Sequence, residues 1–224
     1  MIRKQIAIDG PAGAGKSTVA RAAAEKLGFL YVDTGAMYRT MALFLLRQGV
    51  DPKDTEAIEA ICDRAEITIS HVDGEQQVFL NGENVSKQIR TEEVSRVTSI
   101  TSSVPKVRQQ ILVLQRRLAE TQDVVMDGRD IGTCVLPDAP CKIYLTATSA
   151  ERARRRCAEY AAKGMPADFA TIERNIIERD ERDKNRKISP LRQAEDAVYL
   201  DTSDMTIEQA VDSVLSVAGS CAWK

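Results

Sequence analysis

The stretch Ile6-Ala7-Ile8-Asp9-Gly10-Pro11-Ala12-Gly13-Ala14-Gly15-Lys16-Ser17-Thr18 decides how the rest of the chain is read. It fits G-x-x-x-x-G-K-[ST], with an apolar run before it and an alanine-rich helical run after it. Gly10, Gly13 and Gly15 let the backbone curl so that its N–H groups turn inward, a nest for anionic oxygens. A helix opening at Lys16 adds the positive end of its dipole. Lys16 brings a point charge to the terminal phosphates of such an anion, and the Ser17 hydroxyl can ligate Mg²⁺. The bland alternative is a glycine-rich strand-to-helix turn that binds nothing. The full motif in this context favours a nucleoside triphosphate.

The chain has 224 residues, enough for one generous domain or a domain with an insertion. Its 31 basic and 33 acidic residues nearly balance, so bulk charge gives no reason to expect nucleic acid or an anionic membrane as partner. No apolar run approaches membrane-spanning length, and no signal-like segment precedes Ile6, which together suggest a cytoplasmic protein. The cysteines (Cys62, Cys134, Cys141, Cys157, Cys221) are odd in number and never spaced C-x₂-C, so they read as reduced thiols. The single histidine, His71, sits beside Asp73-Gly74 and reads as a loop residue, not a catalytic base.

Periodicity extends the pattern outward from the glycine-rich stretch. A strand at about 4–9, a helix stopping at Gly28, a strand over Phe29–Val32 and a helix ending at Gly49 alternate β, α, β, α. Such alternation predicts a parallel sheet with right-handed crossovers. Residues 66–70 and 77–80 then switch to period two, bracketed by Asp73-Gly74 and Asn81-Gly82. An antiparallel unit here reads as an insertion at 64–103 into a core formed by 1–63 and 104–224. A helix beginning near Pro105 carries Val107, Ile111, Leu114 and Leu118 as a core stripe. Strands at 123–127, 141–145 and 196–200 bring the total in the main sheet to five. Ser149 is expected to cap an arginine-rich helix to about Ala162, and Thr206-Ile207-Glu208-Gln209 forms a capping box.

In an open parallel sheet, ligands bind beyond the C-terminal ends of the strands. Asp33-Thr34-Gly35 follows one strand, with Tyr38 and Arg39 a helical turn on; Asp127-Gly128-Arg129-Asp130 ends another. Arg39 and Arg129 are therefore expected at the mouth that holds the phosphate loop, as a second phosphate pocket. Asp127 is placed to act on Mg²⁺ through water, or else to serve as a turn carboxylate. In the helix at 168–186, Phe169, Ile172 and Ile176 share a face that continues through Arg179, Asp183 and Arg186. An inward stripe that turns from apolar to charged should leave the core for a wet cleft. Arg152, Arg155 and Arg156 occupy the face opposite Ala150, Ala153, Cys157 and Ala161. Such a run is usually solvated surface; a helix swinging over a triphosphate is the functional alternative.

These blocks, with Pro105-Lys106-Val107-Arg108, Asp127-Gly-Arg-Asp-Ile-Gly132, Pro137-Asp-Ala-Pro140 and Glu178-Arg-Asp-Glu-Arg-Asp183 before Asn185-Arg186, resemble the bacterial cytidylate kinases from about residue 4 to 215. The resemblance implies a P-loop NTPase fold: five parallel strands flanked by helices, an enlarged nucleoside-monophosphate (NMP) domain and a short helical lid at about 152–170. It implies transfer of a phosphoryl group from ATP to CMP or dCMP in pyrimidine nucleotide metabolism, with Mg²⁺, by a cytoplasmic monomer without nucleic-acid or membrane partners. Gly10, Pro11, Ala12, Gly13, Ala14, Gly15, Lys16, Ser17 and Thr18 would hold ATP, with Arg155 and Arg156 from the lid. Thr34, Arg39, Arg129 and Arg186 would surround the CMP phosphate, with Tyr38 nearby. Ser99, Arg108 and Asp130 would meet the cytosine, and Arg179 and Asp183 the ribose. Lys16, Arg129 and Arg186 would be catalytic, and Ser17 and Asp127 the metal pair. Some members of the family carry glycine at the position of Ser17.

Two rivals stand beside this reading. One is another small-molecule kinase on the same core, for AMP, UMP or shikimate. The other is a GTPase-type switch. Against the switch, no Asn-Lys-x-Asp motif occurs and no Asp is followed by Gly three positions on.

Overall fold

A computed structural model describes residues 3–72 and 74–223. The chain divides into two compact units, one made of residues up to 31 with 122 onward, the other of 32–121.

In the first unit, β1 (Gln5–Asp9) leads through the glycine-rich turn into α1 (Lys16–Leu27), and β2 (Leu30–Asp33) begins there and passes into the second unit at residue 32. Gly28 ends α1 in the left-handed conformation its φ of 68° requires, the C′ role its position suggests. The second unit opens with α2 (Thr34–Arg47) and α3 (Thr55–Ile61). A three-stranded antiparallel sheet follows: β3 (Ile67–Val72), β4 (Glu75–Leu80) and β5 (Glu83–Asn84). Then come α4 (Glu92–Thr101) and α5 (Pro105–Thr121). Back in the first unit lie β6 (Val124–Gly128), β7 (Cys141–Thr146), α6 (Ser149–Ala162), α7 (Phe169–Asn185), β8 (Val198–Asp201) and α8 (Ile207–Ser220).

The main sheet runs β2-β6-β1-β7-β8, with β1 parallel to both β6 and β7, and β7 parallel to β8. These are the five parallel strands the β/α rhythm predicts. The order puts β1 at the centre, so its residues are buried on both faces and read as a continuous apolar run. On one face Ile6, Ile8, Ile143 and Leu145 meet Val19, Ala20 and Ala23 of α1 and Val211, Val214 and Ala218 of α8. The small alanines let α1 lie close to the sheet, which fixes the helix start above the end of β1. Both capping-box bonds predicted for Thr206 and Gln209 are present.

Several expectations change. His71 belongs to β3, paired with Gln76 of β4, because the antiparallel ladder continues two residues past 70 although the apolar alternation does not; Asp73, half of the expected turn dipeptide, lies outside the described residues. The cap of α6 is Thr148, whose side chain accepts from Glu151 N–H, one residue before the expected Ser149. Phe169 is exposed, so the apolar stripe of α7 is shorter than expected. Arg152 is buried, with 5% exposure, and is not part of a solvated run.

Candidate active site

Within the first unit the polar residues collect where the central strands end. Gly10 leaves β1 beside the backbone of β7; a Cβ there would collide with the Leu145 carbonyl oxygen, so no other residue fits. Gly15 is the N-cap of α1 in the left-handed region, φ 88°, and has no side chain to occupy the N–H groups at the helix start. Those donors stay directed at whatever anion the loop holds.

Lys16 is buried, and its Nζ donates to the Pro11 carbonyl at 2.7 Å. Burial pushes its ammonium down to about 7 and Arg129 adds to the shift, while Asp127 and Asp9 oppose it. An incoming polyanion would restore the charge. Ser17 Oγ donates to Asp127 Oδ2 at 2.9 Å and Tyr31 donates to Oδ1 at 2.9 Å. A hydroxyl and a carboxylate in contact are hard oxygen donors, a set that fits Mg²⁺ completed by phosphate oxygens and water.

Asp9, for which the sequence offers no role, is a second carboxylate at this edge. Both its oxygens accept backbone N–H groups, from Ile131 and Gly132, each at 2.7 Å. Burial nevertheless lifts its carboxyl to about 6, against the pull of those two donors. The bonds set the course of the loop after β6, which carries Arg129 and Asp130. Arg129 Nε then donates to Asp183 Oδ2 at 3.0 Å, and Arg186 Nη2 to Asp130 Oδ1 at 3.3 Å. Two ion pairs thus join the β6 loop to α7 and the residue just past its end. Among the residues expected there, Arg129, Asp130, Asp183 and Arg186 meet directly, and Arg179 lies one helical turn before Asp183 on α7.

The arginines of α6 divide. Arg155 donates to Thr202 O at 2.7 Å, to Glu151 at 3.1 Å and to Ala14 O of the phosphate loop at 3.5 Å. Arg156 instead pairs with Glu159 at 3.3 Å and lies over the Tyr160 ring.

The second unit holds its own cluster. Asp33 Oδ1 caps α2 through Ala36 N–H, and Oδ2 accepts from Arg39 Nη2 at 2.9 Å. Thr34, the first residue of α2, is buried. Arg108 on α5 is buried, donates to Ser102 O at 3.0 Å and lies 5.5 Å over the Tyr38 ring. Ser99 comes from α4, which packs on α2. Its Oγ and the Nε of Arg39 are buried without a hydrogen-bond partner. Buried polar atoms left open in this way are uncommon, and suit groups meant for a ligand.

A strand-loop-helix phosphate nest, a lysine at its mouth and converging arginines define a P-loop nucleotide-binding protein. The fold agrees with the solved structure of an uncharacterised protein from Eubacterium ventriosum, at 14% identity and TM-score 0.54 over 97% of this chain and 99% of that one. The family model for cytidylate kinase matches residues 6–220. A cytidylate kinase of Shouchella clausii is 47% identical over 212 residues, 95% of this chain and 94% of its own length. Another, from Lactobacillus johnsonii, is 47% identical over 213 residues, covering 95% and 93%. The chain belongs to the cytidylate kinase family.

Proposed function

We infer that the protein transfers the terminal phosphoryl group of ATP to CMP or dCMP, giving ADP and CDP or dCDP. Family membership across nearly the whole chain carries this reading over AMP, UMP and shikimate kinases, and over a GTPase-type switch. The nucleophile is a phosphate oxygen of the monophosphate, anionic near neutral pH, so no general base is required. That suits a protein whose only histidine, His71, lies in an antiparallel hairpin. What the reaction needs is two polyanions held in line against their repulsion.

Lys16 and the loop's N–H groups would neutralise the donor phosphates, and Arg39, Arg129 and Arg186 the acceptor phosphate, with Thr34 alongside. Ser99, Arg108 and Asp130 would read cytosine, and Arg179 and Asp183 the ribose. Ser17 and Asp127 would hold Mg²⁺, which supplies charge neutralisation between the transferring and leaving oxygens. The antiparallel element within 64–103 would serve as the insert of the NMP-binding domain, and 152–170 as a lid excluding water. Among the described residues no helix is long and apolar enough to cross a membrane. A cytoplasmic monomer is the expected state.

A coupled ADP assay with CMP, dCMP, UMP, AMP and shikimate, plus an acceptor-free control, tests the reading. CMP and dCMP should lead. A higher kcat/KM for AMP or shikimate, or hydrolysis unaffected by any acceptor, would sink it.

A further inference from the structure

Arg152 stands outside the residues the family resemblance brings to the site, yet it is the most deeply buried arginine of α6. Its Nε donates to Ala147 O at 2.9 Å, at the end of β7 where α6 begins. Nη1 donates to Ala12 O, inside the phosphate loop, at 3.0 Å. Nη2 reaches Asp180 Oδ2 on α7 at 2.7 Å, and both side chains are more than nine-tenths buried. One planar guanidinium therefore spans three elements, which a lysine ammonium on a flexible stem does not reproduce.

The contact with Ala12 has a consequence for the loop. No peptide bond among the described residues is cis, so the Ala12–Gly13 carbonyl and N–H lie in one plane and point in opposite directions within it. Drawing the Ala12 carbonyl out toward Arg152 turns the Gly13 N–H the other way, into the loop. Helix α6 sits close enough to keep it there: a Cβ on Gly13 would lie 3.7 Å from Arg152 Cβ. Arg155 repeats the device more loosely at Ala14 O, 3.5 Å away, one peptide before the N-cap.

Stability alone does not account for such a pair. A buried ion pair is often replaced by apolar residues of similar volume without loss, because desolvating two charges offsets their attraction. What apolar residues cannot do is hold a carbonyl in a chosen direction. Asp180 fits the same purpose, since its Oδ2 draws Nη2 to one side and, with the bonds to Ala147 and Ala12, holds the guanidinium in place. It also lies between Arg179 and Asp183 on α7, in the sequence that joins acceptor-side residues to the loop.

We propose that Arg152 and Asp180 are positioning residues for phosphoryl transfer: together they hold the Ala12 carbonyl outward so that the Gly13 N–H is presented to the donor phosphates. This rests on the triphosphate reading of the loop. Dissociation constants for ATP without acceptor, measured by calorimetry on the full chain beside thermal midpoints, test it. Arg152→Met/Asp180→Leu, which removes both charges together, should keep a parent-like melting temperature and bind ATP at least tenfold more weakly. Parent-like ATP affinity, within about threefold, would overturn the proposal and leave the pair a packing feature. Should that variant not fold, Arg152→Lys and Asp180→Asn decide. The lysine should weaken ATP at least tenfold, while the asparagine, whose carbonyl still accepts from Nη2, should stay within about threefold. Equal ATP affinity in Arg152→Lys and parent would overturn it. In parent protein the Gly13 amide NMR signal should shift on adding ATP, and in Arg152→Lys that shift should shrink; an unchanged shift also counts against it. If the parent itself binds no ATP, the triphosphate reading falls, a result distinct from any difference among variants.

Discussion

The phosphate loop and the α2–α5 cluster treat their polar groups in opposite ways. Around the loop most charges are already bonded: Lys16 to Pro11, Asp9 to two N–H groups, Arg152 to Ala12 and to Asp180 Oδ2, with Asp180 Oδ1 the exception. In the other unit, Arg39 Nε and Ser99 Oγ lie buried without hydrogen-bond partners. A loop that receives phosphates, the same on every nucleotide, gains from being fixed in advance. A pocket that must read a base gains from leaving specific donors and acceptors open, because the wrong base then leaves them unpaired. The difference separates a rigid, sequence-indifferent anion site from a selective one.

The largest expected effect falls on the loop. Lys16→Met should lower kcat by about a hundredfold or more with the fold intact, since the lysine meets charge that develops between the phosphates. A folded variant within about tenfold of parent turnover, ~1.4 kcal/mol, would contradict that role. Next, Arg129→Lys should reduce kcat/KM for CMP severely, because the bidentate fork is lost, while ATP binding barely changes. Equal weakening of both nucleotides would move Arg129 to the donor side.

Smaller effects sharpen the contrast. Asp130→Asn, which can donate to uracil O4, should narrow the preference for CMP over UMP by about tenfold. If kcat/KM for both nucleotides falls by one factor, Asp130 does not read the base and instead helps hold Arg186. Ser99→Ala should raise KM for CMP several-fold without destabilising the protein, since it removes a polar atom that lacks a partner. Asp9→Ala should do the reverse in a melting experiment, stranding two buried N–H groups at a cost of about 1–3 kcal/mol each. A stable Asp9→Ala would show that the loop after β6 holds itself.

A pH effect follows from Lys16. Its folded, ligand-free ammonium sits near 7, and triphosphate favours the protonated form, so ATP affinity should be highest below that value. As pH rises from about 7.5 to 9, where the phosphates stay ionised, affinity should fall, by up to about tenfold per unit. Lys16→Arg, charged throughout, should lose the dependence.

How far the sequence reaches depends on how local each feature is. The phosphate loop, the five strands of the main sheet and the box at Thr206 are set by spacing within a few residues, and each lies within about two residues of where the pattern puts it, although β8 is largely exposed rather than buried. Helix α4 is hard to see in the sequence, because the neighbouring hairpin pattern obscures the signal of Thr91 capping it ahead of Glu92 and Glu93. The two-residue β5 is too short to show an alternation. Arg152 and Asp9 are different. An arginine in a charged run looks solvated until the Ala12 carbonyl, 140 residues away in the chain, and Asp180 of the next helix arrive to bury it. Asp9 had one usable sign: like Asp33 and Asp127, it closes an apolar strand.

The most direct test of the contrast compares selectivity on the two sides of one reaction. kcat/KM is measured for ATP, GTP and UTP as donors with CMP fixed, and for CMP, UMP and AMP as acceptors with ATP fixed. The account predicts about a hundredfold or more between best and worst acceptor, and a distinctly smaller spread among donors. A donor spread that equals or exceeds the acceptor spread would contradict it.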